Sequence, residues 1–145
     1  MKIFFALGVL LLSANALACT NFSGEFVNEE FGTYYSIAQD GCESISYIYD
    51  EGTVDTSIDG KEYLMNEYDI VVEEGKVLAH VAIYESNSWK GEKLLTKQRS
   101  ETTYADGSVD RDSGWSESYL DKNSDLVVVS QGDNGTEKTI DKRVK

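Results

Sequence analysis

The chain of 145 residues contains no proline, only two cysteines and a single histidine. Because it also lacks a low-complexity tract, nothing in it resembles a flexible linker between domains. One histidine argues against a zinc site built from several imidazoles. Beyond the first residues, no segment is long and apolar enough to be a membrane-spanning helix. We therefore expect one domain without a transmembrane segment, a metal or a cofactor.

Basic residues are scarce in the first half of the chain. Between residues 19 and 75, 14 acidic residues stand against Lys61 alone, whereas from residue 76 onward 12 acidic residues meet 11 basic ones. The formal net charge of −13 disfavours binding to nucleic acid or anionic lipid, and it favours a basic partner or loosely held cations. Solubility of an exported chain explains the same excess more simply.

The first 18 residues have the pattern of an export signal. Lys2 supplies a positive start, residues 3–12 form a short apolar run, and Ala16-Leu17-Ala18 has the small residues of a cleavage site. We expect residues 1–18 to be a signal peptide and residues 19–145 to form a single domain. The mature protein would then be secreted or periplasmic.

Cys19 directly follows the expected cleavage site, so two modifications compete for its sulfur. One is a lipid anchor, although Ala16 stands where lipoprotein signals usually have leucine. The other is a disulfide with Cys42, which the even cysteine count and an oxidising compartment favour. Chain-entropy reasoning gives such a bridge about 3 kcal/mol of stabilisation. We expect the disulfide, with a lipid anchor at Cys19 as the alternative.

Alternation of apolar and polar residues predicts β-strands along most of the chain. Ile45, Tyr47 and Tyr49 share one face of a strand, and residues 77–84 alternate as in a strand buried on both faces. Between such segments, glycine or asparagine marks tight turns that need positive φ. The predicted turns lie at residues 31–32, 40–41, 51–52, 59–60, 74–75, 90–91, 106–107, 122–123 and 134–135.

This series of turns predicts an all-β fold of about eight to ten strands in an antiparallel up-and-down meander. An open meander has two exposed edges, which closure into a barrel would remove. We expect an eight- to ten-stranded barrel, with a two-sheet β-sandwich as the alternative.

The segment Phe22-Ser23-Gly24-Glu25-Phe26-Val27-Asn28, followed by Gly32-Thr33 and Ile37, resembles the opening hairpin of avidin-like barrels and, more loosely, of lipocalin-like barrels. Phe26 stands where the avidin-like family has tryptophan, and Thr33 where it has serine. Trp89 and Trp115 lie roughly where that family has two ligand-stacking tryptophans. After the first of these, Glu92 and Leu94 replace hydroxyl residues of the family.

The resemblance implies a small β-barrel with a ligand cavity. Asn28 and Thr33 would correspond to polar ligand contacts, Tyr47 to a phenolic donor, and Trp89 and Trp115 to aromatic walls. We expect a non-enzymatic protein that binds a small, partly apolar ligand with these residues. The nine tyrosines fit an aromatic cavity, but strand propensity alone also explains them.

Two other functions stay open. An acidic module could dock on a basic secreted or envelope protein through Glu29-Glu30 and Asp50-Glu51. An enzyme would need an acid with a perturbed pKa near His80, but no catalytic motif stands out. The carboxylates at residues 106, 110 and 112 lack calcium-loop spacing, because Ser108 takes the place of the third-position acid.

Overall fold

The computed structural model describes residues 19–72 and 75–145, so the expected signal peptide and the Glu73-Glu74 pair lie outside the described residues. No helix in the described ranges has the length and apolar character needed to span a bilayer. These ranges form ten β-strands: β1 Gly24–Asn28, β2 Thr33–Asp40, β3 Ser44–Tyr49, β4 Gly52–Ser57, β5 Glu62–Val71, β6 Val77–Lys90, β7 Lys93–Tyr104, β8 Val109–Leu120, β9 Leu126–Gly132 and β10 Gly135–Arg143.

The ten strands make one antiparallel up-and-down sheet in the order β4-β3-β2-β1-β10-β9-β8-β7-β6-β5. Every strand pairs with the next one along the chain except β4, which does not pair with β5. In addition, β1 pairs with β10. The predicted all-β meander is therefore confirmed. The predicted closed barrel is not confirmed, because β4 and β5 remain the two edges of the sheet as described.

The connection between β4 and β5 explains why these edges do not pair. Ile58 is buried in the core, and its N–H donates to the carbonyl of Glu43 at 2.7 Å. Two residues later, the N–H of Gly60 donates to the carbonyl of Asn87 at 2.8 Å. The connection thus binds to the start of β3 on one side and to β6 on the other, instead of starting a β4–β5 ladder.

The observed turns lie close to the predicted positions. Gly41 has a φ of 56° between β2 and β3, a conformation that favours glycine because it has no Cβ. At the turn predicted around Lys122-Asn123, the residue with positive φ is instead Ser124, with a φ of 66°. The strands β1–β4 have five to eight residues, whereas β5–β8 have ten to fourteen.

The hydrophobic core fills the end of the sheet that the disulfide closes. Cys19 and Cys42 are bonded, with their Cα atoms 5.6 Å apart, as predicted. A sulfur in this bond cannot also carry a lipid thioether. The buried side chains of the core are Phe22, Phe26, Ile37, Ile45, Ile58, Leu94 and Leu126. We call the sheet face that carries them the inner face, and the opposite one the outer face.

The long strands reach beyond this core. Every residue of β5 is exposed, and so are residues 109–113 of β8, which follow the β7–β8 turn. The core therefore closes one end of the sheet, and the other end is open.

Gly114 on β8 offers a test of strand packing, because an added Cβ would lie 2.8 Å from the carbonyl oxygen of Gln131 on β9. We expect Gly114→Ala to lower the free energy of unfolding by about 1–3 kcal/mol, since the β9 backbone must shift. Gly132→Ala is the matched control, because nothing lies within 4 Å of its added Cβ. Urea denaturation followed by circular dichroism measures both, and equal losses would contradict this packing.

Candidate functional site

A cavity of about 330 Å³ opens above the hydrophobic core. Leu126 and Val128 supply apolar lining. Its polar and aromatic lining includes Asn28, Thr33, Tyr35, Tyr47, Tyr49 and Asp141. The cavity therefore combines apolar surface with a few polar atoms, which is the composition of small-molecule sites.

Strand alternation brings these side chains to one face. Asn28 pairs with Thr33 across β1 and β2, Phe26 pairs with Tyr35, and Ile37 pairs with Tyr47. Because Phe26 and Ile37 belong to the core, their partners and every second residue from them lie on the inner face. Thus the inner face presents apolar residues at the closed end and hydroxyls nearer the open end.

Asp141 of β10 organises the polar lining. The Nδ2 atom of Asn28 donates to its Oδ1 at 2.7 Å, and the hydroxyl of Tyr35 donates to its Oδ2. The side-chain amide of Asn28 is itself oriented, since its Oδ1 accepts the N–H of Phe31 at 3.0 Å. Asp141 is only 8% exposed, so these neutral donors replace water around the carboxylate.

The three tyrosines of the cavity are held in their protonated form. Burial, followed by the hydrogen bond and charge of Asp141, raises the pKa of Tyr35 far above its usual range. Burial raises the pKa of Tyr47 to about 12, with smaller contributions from Tyr49 and Glu85. Burial and the charge of Asp141 also raise the pKa of Tyr49. The cavity therefore offers neutral phenols.

A second polar cluster lies on the inner face of β6 and β7. Asn87, which is 5% exposed, donates through Nδ2 to Glu85 at 3.0 Å and accepts the hydroxyl of Thr96 at 2.6 Å. Glu85 is close enough to Tyr47 for its charge to act on that phenol. The inner face thus carries a polar layer above the core on both halves of the sheet.

The structure brings together three of the five ligand residues predicted from sequence. Asn28, Thr33 and Tyr47 line the same cavity. Trp89 instead packs below it, with its ring centroid 5.6 Å from that of Phe22 and its Nε1 donating to the carbonyl of Cys42 at 2.8 Å. Trp115 lies on the outer face, 38% exposed and opposite Lys97.

Tyr35, Tyr49 and Asp141 were not predicted as ligand residues. The two-residue period signals the tyrosines, because Tyr35 follows Thr33 and Tyr49 follows Tyr47 on the same faces. Asp141 has no local signal. It is 113 residues from Asn28 in sequence, and only the pairing of the first and last strands brings the two together.

His80 lies on the outer face, away from this cavity. Its Nδ1 is 2.8 Å from Asp69 and its Nε2 is 3.8 Å from Glu67, both on β5. At the β7–β8 turn, Asp106 accepts the N–H and hydroxyl of Ser108. In residues 19–72 and 75–145 no group of three or more His, Cys, Asp or Glu could hold a metal ion.

Comparison of the chain with models of known families, with curated proteins and with solved structures found no match.

The pKa of Tyr47 predicts how stability changes with pH. The folded chain keeps the phenol proton up to about pH 12, whereas the unfolded chain loses it near the ordinary value of 10.0. The stabilisation is therefore complete below the unfolded pKa and is lost as the pH rises from there toward the folded pKa. We expect Tyr47→Phe to weaken this alkaline loss, measured by urea denaturation across that interval.

Absorbance of tyrosinate gives the control for this prediction. Tyr47→Phe should remove a late-titrating phenol. The matched comparison is Tyr34→Phe, which removes a phenol from the outer face that is 66% exposed. A late phase that survives Tyr47→Phe undiminished would contradict the assignment.

Proposed function

We propose that the protein is an exported, non-enzymatic binding protein that takes a small, partly apolar ligand into the cavity above its core. The observation that carries this proposal is the convergence of Asn28, Thr33, three tyrosines and Asp141 around about 330 Å³. Ligand cavities usually measure about 300–1,000 Å³ and are apolar with a few placed polar groups. The Cys19–Cys42 bond is compatible with export.

Binding fits the lining better than catalysis does. Both oxygens of Asp141 already accept hydrogen bonds, from Asn28 and Tyr35. The phenols of Tyr35, Tyr47 and Tyr49 have raised pKa values, so they act as neutral donors rather than nucleophiles. Such groups orient a ligand through hydrogen bonds.

We also propose that the sheet acts as an incompletely closed barrel. Contacts between its two halves at the core end support this. Trp89 bonds to the carbonyl of Cys42, and the hydroxyl of Thr20 donates to the carbonyl of Glu92 at 2.7 Å. These contacts bring the β2–β3 turn beside the β6–β7 turn. The cavity would then lie inside the curl, with its entrance at the open end.

Titration of the ¹⁵N-labelled protein with three probes tests the proposed function by NMR. The probes are phenethylamine, phenethyl alcohol and phenylacetate, which share an aromatic body and differ in charge. We expect at least one probe to shift the amide signals of Asn28, Thr33 and Tyr47, with a dissociation constant in the millimolar range typical of such small ligands.

Two matched tyrosine variants locate the binding. Tyr49→Ala removes a cavity ring and should weaken the best probe about fivefold or more, by lost apolar contact. Tyr34→Ala removes an exposed ring from the outer face and should leave binding unchanged. The proposal fails if no probe shifts the cavity signals, or if both variants weaken binding equally.

A second function is favoured by the turns at the open end. Turns β1–β2 and β3–β4 lie at the same end of the meander and expose Glu29, Glu30, Asp50 and Glu51. Beside the first two, Phe31 is 72% exposed. An exposed ring among carboxylates suits a basic protein, since charge steers the encounter and the ring supplies apolar contact.

Biolayer interferometry with lysozyme, a basic secreted protein, tests this second function. We expect binding at low salt that weakens steeply as ionic strength rises. The double variant Glu29→Gln/Glu30→Gln should weaken it further. Glu43→Gln/Glu92→Gln removes the same charge from exposed turns at the opposite end and should not. Equal effects of the two double variants would refute a site at the open end.

A further inference from the structure

Of the residues that the structure describes, Asp141 is the only one with a charged side chain lining the cavity. Both of its oxygens act as acceptors, for Asn28 and for Tyr35, as those of an ionised carboxylate do. Among residues 19–72 and 75–145, no basic group forms an ion pair with it within 4.0 Å. The nearest bases in sequence are engaged elsewhere: Lys142 pairs with Asp125, and Arg143 stacks on Phe26. The cavity therefore carries a negative charge balanced only by neutral donors.

Aromatic rings surround this carboxylate. Tyr35, Tyr47, Tyr49 and Phe31 all line the cavity, and the rings of Tyr35 and Tyr49 lie 5.5 Å apart between centroids. The face of such a ring is negative and attracts a cation, most strongly where water is partly excluded. Because their pKa values are raised, the phenols of Tyr35 and Tyr47 stay protonated and neutral. The carboxylate of Asp141 and the faces of the rings thus both attract a positively charged ligand.

Along β6, β7 and β8 the basic side chains lie on the outer face, whereas Arg143 of β10 lies on the inner face against the core residue Phe26. Lys97 and Arg99 of β7 lie on the outer face, because Thr96 and Gln98 pair with Asn87 and Glu85 on the inner face. There Arg99 pairs with Glu62. The inner face instead carries the carboxylates Glu85, Asp112 and Glu137. A ligand that enters along the inner face meets negative potential, which raises the local concentration of cations.

We infer that the ligand is an organic cation, with an ammonium group beside Asp141 and an apolar body against the tyrosine rings. This inference rests on the proposed function of the same cavity and adds the charge of the ligand.

The three-probe titration separates the two ideas. Phenethylamine, the cation, should bind about tenfold or more tightly than phenethyl alcohol, and phenylacetate should bind most weakly. If phenethyl alcohol binds at the cavity as tightly as phenethylamine, the binding function stands and the cation inference is overturned. If none of the probes shifts the cavity signals, both are overturned.

A matched pair of carboxylate variants tests whether Asp141 supplies the preference. Asp141→Asn should lower the affinity for phenethylamine more than the affinity for phenethyl alcohol, and so abolish the advantage of the cation. Asp55→Asn removes the same charge from an exposed outer-face residue that accepts the Ser46 hydroxyl at 2.6 Å. It should keep the full preference, and an equal loss would assign the preference to net charge alone.

A second variant keeps the inference testable if Asp141→Asn does not fold. Tyr49→Leu retains apolar bulk but removes the aromatic face. It should weaken phenethylamine about threefold or more and affect phenethyl alcohol less. An equal effect on both probes would overturn the role of the ring in holding a cation.

Discussion

The pairing of the first strand with the last is the constraint on which the rest of the structure depends. Only two register pairs join β1 to β10, Phe26 with Arg143 and Val27 with Lys142. Side chains reinforce this short ladder: the Arg143 guanidinium lies 4.7 Å from the centre of the Phe26 ring and donates to the carbonyl of Ser23. Without this junction, β1–β4 and β5–β10 would be two sheets linked by one connection. Such distant pairing is costly in loop entropy, so the supporting contacts matter.

The candidate cavity sits on this same junction. Asn28 comes from β1 and Asp141 from β10, and their hydrogen bond crosses between the two strands. Burying the carboxylate costs free energy that the donors Asn28 and Tyr35 offset. The contacts that orient the cavity therefore also hold the halves of the sheet together. Stability and binding geometry are coupled at Asp141, because one side chain serves both.

Local features of the sequence predicted the strands and the turns, and the resemblance of the first hairpin to a known family implied three of the cavity residues. Neither could predict contacts between distant parts of the chain. The two-residue period placed Tyr47 on an inner face, and glycine marked the hairpins. The position of Asp141 depends on which strands meet, which no local pattern encodes. Trp89 was expected at the ligand, yet its distance along β6 places it in the core beside Phe22. The predicted closure is absent between β4 and β5, where the connection instead brings Ile58 into the core.

The second half of the chain has a near-neutral net charge, but its acidic and basic side chains are distributed unequally between the two faces of the sheet. Glu117 is held by Lys90 and Lys93 on the outer face, and Glu101 by Arg99 and Arg111. In these ion pairs the basic side chains neutralise carboxylates of the outer face and not those of the inner face. A shift of β7 by one residue would expose Leu94 and turn Lys97 and Arg99 inward. Since Leu94 is 1% exposed in the core, the burial that fixes this register also keeps Lys97 and Arg99 off the inner face.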